Sequence, residues 1–169
     1  MFVHGKPPAD VQEWDHAGLR ADVLAASAGH CPALTALVEA VPAWRLWVLC
    51  DRPPLPGPDQ MVRGRVALLG DAAHPMRPYL AQGAGMAIED AQVLAQCLAQ
   101  GSGSVPARLQ AYAEQRWARN ARVQARAIRN GRIFHATGFV ALSRNLSMRL
   151  MGERLMDVPW LYGDGPGAD

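Results

Sequence analysis

The spacing of apolar residues changes several times along the chain, and each change marks an element. Leu19, Val23 and Leu24, then Leu34, Leu37 and Val38, recur at the three- and four-residue spacing of a helix face. They predict two short helices, over 17–29 and 32–41, separated at Cys31-Pro32. Ala43–Cys50 (AWRLWVLC) alternates large apolar residues with others and predicts a strand. Phe2–His4 reads as the end of another strand, followed by a turn at Gly5–Pro8. Asp51–Pro58 (DRPPLPGP) holds four prolines and a glycine, which forbid regular structure. Arg65–Leu69 (RVALL) is a short apolar run before Gly70 and predicts a strand buried on both faces. Pro75 and Pro78 keep 72–82 out of helix. Helical spacing then resumes over Gly83–Ala99, closed by Gly101-Ser102-Gly103, over a long stretch from about Pro106 to Asn130 or beyond, and over 139–152. The tail from Gly163 (GDGPGAD) predicts disorder.

Composition narrows the class. With 169 residues the chain is long enough for one real core, and half of it is hydrophobic. A net charge of +2 gives no argument for nucleic acid or an anionic membrane as partner. No apolar run approaches the roughly 20 residues of a membrane span, and the first residues lack the plan of a signal peptide. Cys31, Cys50 and Cys97 are widely spaced and odd in number, which points to reduced thiols in a cytoplasmic setting.

The candidate chemistry lies in 64–91, GRVALLGDAAHPMRPYLAQGAGMAIEDA: a strand, a loop crowded with Gly and Pro, and a helix that starts on glycines. A helix N-terminus leaves N–H groups unpaired and carries partial positive charge. Glycines there let a ligand approach the backbone. Gln82-Gly83-Ala84-Gly85-Met86 meets that need for an electron-rich, partly anionic cofactor, with Asp71, His74 and Arg77 nearby. Asp71 is placed to accept hydrogen bonds from sugar-alcohol hydroxyls, and Pro78 offers a flat apolar face. The amides of 83–85 are expected to converge, beside Asp71, on a hollow the size of a flavin ring. GAGMAI is not a GxGxxG fingerprint, since Ile88 stands where the third glycine belongs. The longer span GD-x2-HP-x2-P-x3-QG-x-G-x3-ED is far more specific.

That span resembles the second flavin-binding motif of the group A FAD-dependent aromatic monooxygenases, of the salicylate hydroxylase and 3-hydroxybenzoate 6-hydroxylase kind. Trp44–Leu55 resembles the strand and loop before the motif, Arg119–His135 the long C-terminal helix, and Trp160-Leu161-Tyr162-Gly163 the WLYG ending. The resemblance implies an α/β, Rossmann-like FAD/NAD(P)-binding fold, present as an α-rich C-terminal portion without the N-terminal βαβ unit. It implies FAD as cofactor, NAD(P)H as co-substrate, and hydroxylation of a small aromatic ring with O2. By the same resemblance Asp71 would bind the ribityl chain, and His74 and Pro75 would shape the loop near pyrophosphate and flavin. Pro78 would lie over the ring near its oxygen-activating C4a position, and Gln82 would sit between flavin and substrate. Gly83, Ala84, Gly85 and Met86 would line the flavin's N1/O2 edge, and Arg52 would approach cofactor or substrate carboxylate. Pro78 and Gln82 are thus the candidates for the catalytic step. No residue stands out as the base that deprotonates a phenol.

The N-terminal GxGxxG, the middle DG motif and most of the substrate-covering sheet have no counterpart here. The expected organisation is 1–58 as the end of a substrate-domain sheet with two helices and the Pro-rich loop, 59–163 as the FAD-binding portion, and 164–169 as a tail. A truncated chain is the expectation, with a homodimer or a missing N-terminal half as possible partner. Two other readings stand beside the enzyme: a non-catalytic remnant that binds no FAD, and an interaction module. Asp71 and His74 form D-x2-H, half a metal site with no second pair, so no metal is expected. Glu89 and Asp90 face different sides of a helix and suit capping or packing better than paired acid/base work. Arg116, Arg119, Arg122, Arg126 and Arg129 recur at helical spacing and read as a solvated face opposite an apolar stripe of Leu109, Tyr112, Ala113 and Val123. Trp44, Trp47, Trp117 and Trp160 read as core or docking aromatics.

Overall fold

A computed structural model describes Glu13 and residues 15–100, 102–155 and 158–163. The expected strand at Phe2–His4 and the expected disorder after Gly163 lie outside these residues. The chain divides into two compact units, Met1–Cys50 and Asp51–Asp169. The Pro-rich loop 51–58 falls in the second.

In the first unit β1 (Asp15–Gly18) pairs antiparallel with β2 (Trp44–Trp47), Asp15 opposite Trp47 and Gly18 opposite Trp44. Helices α1 (Arg20–Ala26) and α2 (Pro32–Ala40) lie between them in sequence. The sequence places helix over 17–18, where the chain is strand instead: those two residues complete the ladder with β2. Arg45 pairs with Asp15 across the two strands, and Trp47 Nε1 donates to Asp15 Oδ1 at 2.9 Å. Val38 is the buried apolar residue of this unit, whereas Leu19 and Leu37 are well exposed.

The second unit is a helical pair with a small β-hairpin on its flank. Val62–Arg63 (β3) and Val66–Ala67 (β4) pair antiparallel through a turn at Gly64, whose φ of +60° suits glycine. The run 65–69 was expected to be a strand buried on both faces. It holds only this two-residue strand, and Val66 is 63% exposed. Among the described residues only β3 pairs with β4, so nothing covers the other side. Helix α3 (Gly83–Gln100) packs against the 30-residue α4 (Val105–Phe134). Helix α5 (Gly138–Met151) and the short α6 (Pro159–Gly163) follow. Two apolar clusters hold the pair together. Met61, Ala73, Val93, Cys97, Tyr112 and Ala113 form one; Met86, Val123, Val158 and Leu161 form the other. The stripe Leu109, Tyr112, Ala113 and Val123 is buried as its spacing requires. No helix among the described residues is long and apolar enough to cross a membrane.

Candidate functional site

The loop between β4 and α3 is held from below at five places. A 3-10 turn, Gly70–Ala72, opens it, and Gly70 takes φ of +56°. A side chain at Gly70 would also press on Ala87, its Cβ lying 3.2 Å from that methyl. Arg52 Nη2 donates to the carbonyls of Ala72 (2.8 Å) and Ala73 (2.6 Å). Gln124 Nε2 donates to the carbonyls of Arg52 and Pro75, at 2.9 and 3.0 Å. Arg77 forms a forked pair with Asp51, which raises the Arg77 pKa through its hydrogen bond to that carboxylate. Tyr79 seats its ring against Gly131, and its hydroxyl shares a 2.9 Å hydrogen bond with His135 Nε2.

The fifth support is a buried polar cluster centred on Asp90, which is 0% exposed. Its Oδ2 accepts from the Gly70 N–H (3.1 Å) and lies 2.6 Å from His74 Nε2. Its Oδ1 accepts from Arg116 Nε (2.8 Å) and Asn120 Nδ2 (2.9 Å). Burial pushes the Asp90 carboxyl up, but the bonds from His74, Arg116, Asn120 and Gly70 outweigh it and hold the group at about 2. Glu89 completes the cluster, 2.8 Å from both Arg116 and Arg119. Its burial is likewise outweighed, and its pKa lies below the ordinary carboxylate range. Arg119 also donates to the carbonyls of Trp160 (3.2 Å) and Leu161 (2.9 Å).

On the open side lie Asp71, Pro78 and Ala84, all exposed. A Cβ built on Gly83 would lie 3.9 Å from Asp71 Oδ1, so the carboxylate stands beside the first turn of α3. The first α3 amide with a backbone acceptor is Met86, whose N–H donates to Gln82 O at 2.9 Å. The N–H groups of Gly83, Ala84 and Gly85 have no acceptor among the described residues. Gln82 curls over them, its Oε1 lying 3.2 Å from a Cβ built on Gly85. This arrangement can receive an electron-rich edge at the amides and hydroxyl groups at Asp71.

The structure therefore sets Asp71 beside Gly83 and Gln82 beside Gly85, and leaves Pro78 and Ala84 exposed. Four other sequence candidates are engaged within the protein. His74 is buried against Asp90. Met86 is buried in the apolar cluster and its N–H is already bonded. Arg52 spends its Nη2 on the loop carbonyls, and Pro75 is tied to α4 through its own carbonyl. The cavity behind the loop, lined by His74, Asn120 and Gln124 among others, measures only about 10 Å³, the room of one water. A larger groove of about 380 Å³ lies at the far end of α3, near Gln96 and Arg108.

The predicted basic stripe on α4 is also revised. Arg116 is buried, Arg119 pairs with Glu89, and Arg122 stacks on Trp160 at 3.8 Å. Sequence reading missed Asp90, Arg116, Asn120 and Gln124 as supports of the site. The signal was present: Met86, Asp90, Val93 and Cys97 share the buried face of α3 at helical spacing, as do Tyr112, Arg116, Asn120 and Val123 on α4. Tyr79 and His135, 56 residues apart, left no such signal.

Residues 58–127 match the model of a family described as an FAD binding domain. Relatives are similar over much more of the chain. 3-Hydroxybenzoate 6-hydroxylase of Polaromonas naphthalenivorans (strain CJ2) is 37% identical over 166 residues, 96% of this chain and 40% of that enzyme. Salicylate hydroxylase of Pseudomonas putida is 37% identical over the same 96% of this chain and 36% of its own length. Among solved structures, a salicylate hydroxylase substrate complex superposes with a TM-score of 0.78 at 32% identity, covering 96% of this chain and 39% of that one. Klebsiella pneumoniae HpxO complexed with FAD and uric acid superposes with a TM-score of 0.74 at 28% identity, over 91% of this chain and 38% of that one. The chain spans about two fifths of the length of these relatives. Its motif, its fold and its relatives agree, and the chain belongs to the FAD-dependent aromatic hydroxylases.

Proposed function

We propose that this chain forms the isoalloxazine-side half of an FAD site in an aromatic-ring monooxygenase that uses NAD(P)H and O2. One observation carries the reading: three consecutive first-turn amides, at Gly83, Ala84 and Gly85, lack acceptors among the described residues, and the exposed Asp71 carboxylate stands beside Gly83. Their donors and the positive end of an 18-residue helix suit the flavin edge that gains negative charge on reduction. Asp71 would accept from ribityl hydroxyls. Pro78 would present an apolar surface to the ring, and Gln82 would stand between flavin and aromatic substrate. FAD, when bound, supplies the two-electron redox chemistry and the activation of oxygen. The chain's own contribution is placement: the five supports beneath 70–82 leave little of the loop to be ordered on binding. Arg52, His74 and Pro75 serve the same end from behind, as loop supports. A cytoplasmic setting and a small phenolic or aryl-carboxylate substrate belong to the same reading.

FAD titration into the purified chain, followed by quenching of flavin fluorescence, tests it. The expected result is saturable binding that Asp71→Ala weakens by about tenfold or more, the factor of losing a hydrogen bond to a charged acceptor. A folded chain that leaves FAD fluorescence unchanged at every concentration would favour the non-catalytic remnant.

A further inference from the structure

The Asp90 carboxylate is enclosed on every side, touches no exposed surface, and is spent entirely on other elements. Two of its partners belong to α4, Arg116 and Asn120. The other two, Gly70 and His74, bracket Asp71 in sequence. The turn between them is closed by its own bonds, Ala73 N–H and His74 N–H both donating to Gly70 O, at 2.9 and 2.8 Å. We propose that Asp90 is the positioning residue of the cofactor loop: through the Gly70 N–H and His74 it fixes the 3-10 turn that aims Asp71 at the first turn of α3. This rests on the FAD reading for its consequence, but not for its geometry.

The physical argument is one of alternatives. A buried N–H or imidazole without a partner is costly, so the turn stays where the carboxylate is. The carboxylate in turn stays where Arg116 is, because an uncompensated buried charge is costlier still. Arg116 is fixed by Glu89 and by Asn120 Oδ1 (3.0 Å). Asp71, exposed and with no side-chain partner among the described residues, takes its position from the backbone beneath it. Sequence distance hides this: Asp90 stands on α3, 19 residues beyond Asp71 and two turns past the open amides.

Asp90→Asn is the test. An amide in place of the carboxylate keeps one oxygen, which the Arg116 and Asn120 donors claim, and turns its NH2 toward the Gly70 N–H. Two readouts are taken on the full chain. Amide hydrogen exchange of the apoprotein over 68–74 is expected to rise by tenfold or more, while 109–127 stays protected. FAD affinity is expected to fall by about tenfold. Leu109→Ala is the control, since it removes a buried apolar side chain of α4 that belongs neither to the Asp90 cluster nor to 68–74. A weakened affinity in Asp90→Asn but not in Leu109→Ala, at similar loss of thermal stability, supports positioning. Equal weakening in both, or unchanged exchange over 68–74 in Asp90→Asn, overturns it. If Asp90→Asn fails to fold, His74→Ala, which cuts only one arm, is measured in its place with the same expectations. A wild-type chain that binds no FAD refutes the proposed function, and the exchange arm still decides whether Asp90 fixes the turn.

Discussion

Gly131→Ala is expected to change the sign of its effect with the residue at position 79. Gly131 lies inside α4, where glycine costs about 1 kcal/mol relative to alanine. A methyl there would stand 2.5 Å from Tyr79 Cε2, 2.8 Å from Cδ2 and 3.3 Å from Cζ. Carbon contacts settle at about 3.5–4.0 Å, so the ring must withdraw by about 1 Å. That movement breaks the 2.9 Å bond to His135, worth about 0.5–1 kcal/mol where it is exposed. It also disturbs edge-on contacts with Phe134 and His135, at 5.9 and 5.6 Å between centroids, worth about 0.5–1.5 kcal/mol together. The helix gain is offset, and Gly131→Ala destabilises the chain by up to about 1.5 kcal/mol. In a Tyr79→Ala background the same methyl meets no ring and stabilises by about 1 kcal/mol. Urea denaturation of the four members of this cycle measures the coupling. Equal stabilisation by Gly131→Ala in both backgrounds would refute the notch between Tyr79 and α4, and with it the anchoring of the Pro78 loop.

Three further outcomes follow from the same geometry. Asp71→Ala weakens FAD binding yet leaves the unfolding free energy from urea denaturation within about 0.5 kcal/mol of the parent, because an exposed carboxylate with no partner among the described residues contributes little to folding; a large loss of stability would mean that Asp71 is structural. The Asp90 pKa is depressed, from 3.8 to about 2, so its contribution is present above pH 3.8 and lost as pH falls through about 2. It is worth about 2 kcal/mol, and Asp90→Asn should flatten that part of the stability–pH curve by thermal denaturation between pH 5 and 2, leaving the slope of Glu89. Ala81 holds φ of +53°, a conformation in which a Cβ costs about 1 kcal/mol, so Ala81→Gly is expected to be neutral or to raise stability by up to about that amount in the same melts.

Much of the fold and one face of the site were legible in residue order. Helical spacing located α3, α4 and α5 to within a few residues, and glycines and prolines marked where they had to stop. The run from Gly70 to Gly85 announced unpaired amides beside an acid. These are local properties: backbone donors at a helix end exist wherever the helix starts, whatever packs around it. The expectation for Arg65–Leu69 failed because burial of a strand depends on its neighbours, and only β3 pairs with β4 among the described residues.

Tertiary structure decided which charges are supports and which are available. Arg116 and Arg129 carry the same side chain at helical spacing, yet one is buried on Asp90 and the other is exposed. His74 and Asp71 sit three residues apart in one motif, and only the second faces outward. Periodicity reports which residues share a face of their own helix. It carries no information on what a second helix, 26 residues away in the case of Arg116 and Asp90, brings against that face. The desolvation of a charge and the partner that compensates it are settled only when both helices pack, so the chain order alone could mark the site but not what holds it in place.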